Sequence, residues 1–172
     1  MAITFRPRVG QVLECDYGNY LTDAAGGVIK NDFSAHIPPE MVKNRLVVVL
    51  NGRIPDACIV VPLSTTLDLG KTSKGWHIEI DAAAIPALRY FTQQRRWAKC
   101  DMVQQVSASR LWRTQTARGH LEVDLDRSVV EQIQRGVIKA IGGASLLIPP
   151  AQAGAVANAP QVAPVAAENA PS

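Results

Sequence analysis

The stretch "KNRLVVVL", residues 43–50, runs through "NGRIPDA" into "CIVVPLSTT", residues 58–66. Short apolar runs rich in β-branched residues read as strands, and Asn-Gly with Pro-Asp between them reads as a hairpin connection. Each run carries its polar groups at one end. Lys43, Asn44 and Arg45 begin the first, and Ser64, Thr65 and Thr66 finish the second. Antiparallel pairing brings those two ends side by side. An arginine is then expected beside several hydroxyls at the rim of a sheet.

Working outward, the remaining periodicity is mostly that of strands. "QVLECDY" (11–17) alternates weakly, and "WHIEID" (76–81) puts Trp76, Ile78 and Ile80 on one face. "RRWAKCDMVQQV" (95–106) reads as a fifth strand and "HLEVDL" (120–125) as a sixth. Between 18 and 42 lies a polar segment with "AAGG" and "IPPE", long for a compact domain and of the kind often used for function. One helix closes the pattern. "DRSVVEQIQRGVIKAIGG" places Val129, Ile133, Val137 and Ile141 on one stripe. Asp126 or Ser128 can cap it, Ser128 with Glu131 fits a capping box, and Gly142–Gly143 supply the stop. Five or six short strands and a terminal helix, without βαβ alternation, predict a mainly β domain, a small barrel over residues 1–147. Residues 148–172 are almost all Ala, Pro, Val, Gln and Asn, with little to bury, and are expected to form a disordered tail.

Composition narrows the functions. The 172 residues are 47% apolar and 19% charged with net charge +3, an ordinary globular balance with a mild basic excess that suits a nucleic-acid partner. "MAITFRPRVG" has no apolar signal core, and no run reaches the ~20 apolar residues that span a bilayer, so a cytoplasmic protein with no membrane association is expected. Cys15, Cys58 and Cys100 are odd in number and far apart, and His36, His77 and His120 lack neighbouring ligands, so no metal site is expected. The cysteines read as reduced and buried, the histidines as structural or exposed.

In "WAKCDMV", strand alternation sets Trp97, Lys99, Asp101 and Val103 on one face and Ala98, Cys100 and Met102 on the other. The small and apolar set belongs in the core, so Lys99 and Asp101 are expected to project together from the opposite face. With Arg45 and the Ser64–Thr66 hydroxyls at ends of the same sheet, a guanidinium, an ammonium, a carboxylate and hydroxyls would converge. That set suits a phosphodiester: cations and hydroxyls hold the phosphate oxygens while Asp and Lys move protons. The pattern also fits an ordinary charged surface strand.

These pieces, in their order along the chain, resemble the PemK/MazF family, toxins of type II toxin–antitoxin systems. "PRVGQVLECDYG" is similar to its opening strand and "MVKNRLVVVL" to its Arg-Pro-Val-Val-Val strand. "VVPLSTT" is similar to its Val-Pro-(Ile/Leu)-(Ser/Thr)-(Ser/Thr) turn and "AKCDMV" to its (Arg/Lys)-Cys-Asp-Gln strand. The resemblance covers about residues 7–143. It implies an SH3-like barrel that forms a homodimer, a cognate antitoxin protein as partner, and an endoribonuclease that cuts single-stranded RNA without metal or other cofactor. It implies attack by the ribose 2′-OH, leaving 2′,3′-cyclic phosphate and 5′-OH ends. Carried onto this chain, Arg45 stabilises the phosphorane, Ser64 with Thr65 binds phosphate, Asp101 is the general base and Lys99 the general acid or electrostatic partner. Leu46 stands where the family has proline, and Lys99 replaces a frequent arginine and loses its bidentate fork. Relatives of the same fold that poison a topoisomerase without catalysis, and a non-catalytic barrel binding module, are the alternatives.

"RYFTQQRRW" (89–97) interleaves aromatics and arginines as single-strand binding surfaces do, with Tyr90 or Phe91 for stacking and Arg96 and Trp97 among the expected RNA contacts; a solvated loop anchored by buried aromatics is the alternative. Arg110, Arg113 and Arg118 around Trp112 read either as a phosphate track or as a basic rim.

Overall fold

In a computed structural model, residues 2–30 and 35–148 of the chain are described. The first strands are β1 (Gln11–Asp16), β2 (Asn44–Asn51) and β3 (Ala57–Ser64), then the short helix α1 (Leu69–Ser73). Next come β4 (His77–Ile80), β5 (Arg96–Lys99), β6 (Gln104–Ser107) and β7 (Leu111–Arg113). A small hairpin, β8 (Gln115–Thr116) with β9 (Gly119–His120), precedes β10 (Val123–Asp124) and the helix α2 (Arg127–Ala140).

The expected hairpin is the centre of the molecule. β2 and β3 pair antiparallel with Val47 opposite Pro62 and Val49 opposite Val60, and β1 flanks β2 with Leu13 opposite Val47. In the connection, Gly52 lies so close to Pro7 that a Cβ would overlap its carbonyl oxygen, so glycine is required there. β3 serves two partners along one edge: Ala57–Val60 pairs with β6, and Leu63–Ser64 with β5. The hydrogen-bonded path runs β10-β1-β2-β3-β5-β4 and does not close on itself. The chain is therefore mainly β with a C-terminal helix, as its periodicity predicts, and its sheet stays open at β10 and β4.

Both faces of this sheet are covered, which is why its central strands read as continuous apolar runs. Val12, Leu46, Val48, Val61, Leu63 and Ala98 lie on the face packed by Val130 and Ile133 of α2. Leu13, Cys15, Val47, Val49, Cys58 and Val60 form the other face, with Val106 and Leu111. All three cysteines are buried and free, as expected.

Several local expectations change. The fifth strand is interrupted: β5 ends at Lys99, a 3₁₀ turn occupies Cys100–Met102, and β6 resumes at Gln104. The sixth strand is broken into β9 and β10. In α2 the buried stripe is Val130, Ile133 and Gly136, with Val129 and Val137 partly buried, whereas Ile141 is 71% exposed. The two stripes share Ile133, but the buried one runs at i+3 spacing rather than i+4, with small Gly136 at the closest approach to the 3₁₀ turn, where a Cβ would stand 2.7 Å from Cys100 Sγ. The capping box is not formed; Glu131 instead accepts from Arg127 Nε at 2.9 Å. Helix α1 has no counterpart in the sequence-based reading. Among the described residues no helix is long and apolar enough to cross a membrane. Of the expected tail, residues 149–172 lie outside the described residues.

Candidate functional site

The register of the sheet assembles the site. Ser64 lies opposite Trp97, which lies opposite Glu79; two residues along, His77 lies opposite Lys99. The β2–β3 register, extended past Val47 and Pro62, brings Arg45 opposite Ser64. Side chains two apart on a strand share a face and directly opposed residues share it too. Arg45, Ser64, Trp97, Lys99 and His77 therefore stand on one face, the face of Cys15 and Val47.

The opening expectation about arginine and hydroxyls holds. Half-buried Arg45 lines a cavity of about 230 Å³ with Ser64, Thr65 and Arg96. Its Nε donates to the Val42 carbonyl at 3.3 Å, which orients the guanidinium from the start of β2. The backbone N–H of Thr66 donates to Ser64 Oγ at 3.1 Å, fixing the turn that presents the hydroxyls. Thr66 itself is not among the lining residues. Its carbonyl accepts from Lys99 Nζ at 2.7 Å, so it anchors the lysine instead.

Lys99 and Asp101 are not strand neighbours projecting outward. Lys99 is 7% exposed, and the 3₁₀ turn after it carries Asp101 off the sheet, because the chain must turn before β6 can reach the other end of β3. What joins them is His77. Its Nε2 lies 3.0 Å from Asp101 Oδ1 and its Nδ1 lies 3.1 Å from Lys99 Nζ. Lys71 completes the group, its Nζ donating to Asp101 Oδ2 at 2.7 Å. Helix α1 positions that lysine: Asp68 caps the helix by accepting from the Lys71 backbone N–H at 3.0 Å.

These contacts shift the ionisation of every member. Burial pulls the Lys99 ammonium down, against the opposing charges of Asp101 and Asp68. Burial, then the Lys99 charge, lowers His77. Burial alone would raise Asp101, but the Lys71 bond and charge together with the His77 bond hold it below the usual carboxylate range. The Asp101 bond raises Lys71. The group at neutral pH is thus a carboxylate between an ammonium and a neutral imidazole.

Asp101 and Lys71 face a second cavity of about 460 Å³, shared with His36, Glu40 and Gln104. His36 Nδ1 and Glu40 Oε2 lie 3.3 Å apart at its rim. The expected residues thus line two cavities rather than one, and Lys99, bonded to the Thr66 carbonyl and His77, lines neither. Arg96 and Trp97 are not open RNA contacts: they are 4% and 8% exposed. Arg96 Nη2 donates to the Thr92 carbonyl at 2.8 Å, and its guanidinium sits 5.7 Å from the Phe91 ring while lining the Arg45 cavity.

His77 and Lys71 were absent from the sequence-derived set. Alternation in "WHIEID" does put His77 opposite the apolar Ile78 and Ile80, but its partner Lys99 follows only from β4–β5 pairing. Lys71 follows an Asp cap by three residues, a signal for a helix start and not for a site.

The chain matches the family described as PemK-like, MazF-like toxin of type II toxin–antitoxin system over residues 24–141. It is 53% identical to the Escherichia coli (strain K12) protein YifN over 148 residues, covering 86% of this chain and 99% of that one. It is 41% identical to a Haemophilus influenzae protein over 142 residues, covering 83% and 94%. Among solved structures, the Mycobacterium tuberculosis toxin MazF-mt6 aligns at 20% identity and TM-score 0.41, over 60% of this chain and 91% of that one. MazF from Deinococcus radiodurans aligns at 10% identity and TM-score 0.48, over 80% and 98%. By its match through more than half its length, the chain belongs to the PemK-like, MazF-like toxin family of type II toxin–antitoxin systems.

Proposed function

We propose that the chain is an endoribonuclease toxin that cuts single-stranded RNA without a metal ion, working as a cytoplasmic homodimer restrained by a cognate antitoxin. Its sheet reads as an SH3-like barrel left open between β10 and β4. The observation that carries the reading is the meeting of Arg45, Ser64 and Thr65 on one cavity, on strands whose same face bears Lys99 and His77, with Asp101 bonded to His77 from the turn beyond β5.

In this reading the scissile phosphate lies against Arg45, Ser64 and Thr65, and the ribose upstream of it faces Asp101. The Asp101 carboxylate takes the 2′-OH proton as the 2′-oxygen bonds to phosphorus. Arg45 and the hydroxyls hold the charge that builds on the phosphorane oxygens. The bond to the 5′-oxygen breaks, and Lys99, made a stronger acid by burial, gives that oxygen its proton. The products are a 2′,3′-cyclic phosphate and a 5′-OH.

The test is incubation of purified protein with a 5′-labelled single-stranded RNA in excess EDTA. Discrete fragments ending in cyclic phosphate are expected. Intact RNA, with a known MazF-type nuclease active in a parallel reaction, overturns the reading in favour of a non-catalytic toxin.

A further inference from the structure

A third cavity, of about 310 Å³, opens beside the arginine site and contains none of the residues given a chemical role above. It is lined by Glu14, Asp16, Asn44, Tyr90, Trp112 and Gln115. Tyr90 lines this cavity and the Arg45 cavity alike, which joins the two around the start of β2, although Glu14 and Asn44 stand on the Leu46 face of the sheet and Arg45 on the other. The sheet builds its floor: Glu14 of β1 lies between Leu46 of β2 and Trp112 of β7.

Glu14 is an unusual residue for this position. It is 5% exposed, Asn44 Nδ2 donates to its Oε2 at 3.2 Å, and its Oε1 is buried with no hydrogen-bond partner among the described residues. Burial raises the carboxyl's pKa; Asn44 and the backbone of Gln115, which falls short of a hydrogen bond to Oε1, offset that in part. A buried carboxylate with unused acceptor capacity is costly and calls for a donor. Around it stand a half-buried Trp112 and a Tyr90 ring that is 65% exposed, with the Arg89 guanidinium 5.3 Å from that ring. Aromatic rings for stacking with polar groups at the edge are how proteins hold unstacked bases.

We propose that this cavity is a nucleobase subsite selecting guanine in the nucleotide on the 3′ side of the scissile bond, with Glu14 accepting from guanine N1–H and N2–H. Guanine alone among the four bases presents two adjacent donors on its pairing edge, matching the two oxygens of a carboxylate. The amides of Asn44 and Gln115 are within the same cavity for O6. The direction follows from the proposed nuclease chemistry, on which this inference rests: the 2′-OH nucleotide is placed on the Asp101 side of Arg45, toward β5, and this cavity lies on the β1 side of β2.

Two experiments test it. In the first, binding of guanosine, inosine, adenosine, cytidine and uridine 5′-monophosphates is measured by calorimetry. Guanosine monophosphate is expected to bind roughly tenfold or more tighter than the others, inosine included because it lacks the N2 amino group. Glu14→Gln replaces one acceptor with a donor and abolishes that preference. Tyr90→Ala, at an exposed position that cannot unfold the core, weakens all five nucleotides by a similar factor. In the second, single-turnover cleavage is measured on oligonucleotides differing only in the base 3′ of the cut. Equal affinities in wild type, or a preference that survives Glu14→Gln in a folded protein, overturn the subsite. Cleavage without base preference removes the subsite and leaves the nuclease; selective guanine binding without any cleavage supports the subsite's chemistry and removes the nuclease.

Discussion

His77 Nε2 stands 3.0 Å from Asp101 Oδ1, and the other ring nitrogen stands 3.1 Å from Lys99 Nζ. A lysine ammonium can only donate, so Nδ1 accepts and the ring's proton is on Nε2, directed at the carboxylate. This buried imidazole therefore keeps a cation and an anion apart at fixed separation while bonding both. Protonating it would set an N–H against an ammonium. Its structural role is to be neutral.

That neutrality makes the fold sensitive to acid. The folded-state pKa of His77 lies below its ordinary 6.5, so the unfolded chain takes a proton that the folded chain resists. Stability is then full above about pH 6.5 and falls as pH drops below it, and the lowered Asp101 adds a further loss below its ordinary 3.8. Urea denaturation of the wild type between pH 7.5 and 5 should show a declining midpoint, and His77→Asn should flatten that decline. An unchanged pH slope in a folded His77→Asn protein would show that other groups set the acid sensitivity.

Asp101→Asn keeps an acceptor for His77 and removes the charge between Lys71 and His77. With the base gone, single-turnover RNA cleavage should slow by about 10²–10⁴-fold. Circular dichroism should be unchanged, since only the Lys71 ion pair, with its lysine side chain 40% exposed, is lost. Equal rates from two folded proteins would remove Asp101 from the chemistry.

Arg45→Ala should slow cleavage by about 10²–10³-fold at unchanged fold, because the residue lines a cavity and, among the described residues, its side chain bonds only the Val42 carbonyl. Arg45→Lys restores the charge without the planar fork and should recover part of the rate. Unfolding of the alanine variant in thermal melts would instead assign Arg45 a structural role.

Gly136 is where α2 meets the 3₁₀ turn that carries Asp101. A Cβ there would stand 2.7 Å from Cys100 Sγ and 3.1 Å from the Gly75 carbonyl oxygen. Gly136→Ala should therefore destabilise by about 1–3 kcal/mol through overpacking, outweighing the ~1 kcal/mol that alanine gains in a helix. Combining it with Cys100→Ala should recover part of the loss. Urea midpoints for the two singles and the double decide it, and additivity of the two effects would refute the contact.

The sequence by itself determined what rests on local periodicity. The β2–β3 hairpin follows from two apolar runs and the turn-forming residues between them, and with it the placing of Arg45 beside Ser64 and Thr65, because in an antiparallel pair the start of one strand meets the end of the other. The C-terminal helix is equally legible, though its buried stripe keeps only Ile133 of the expected four fully buried. What the tertiary structure decided concerns pairings between distant segments. Alternation through "WAKCDMV" assumes an unbroken strand. In the fold β3 takes β5 at one end and β6 at the other, so the chain must turn at Cys100–Met102, and Asp101 leaves the face of Lys99. His77 and Lys71 reach Asp101 only because β4 pairs with β5 and the capped turn of α1 packs beside them. Trp97 looks like a stacking ring in sequence and is buried in fact, since burial is a property of what the rest of the chain lays over a residue.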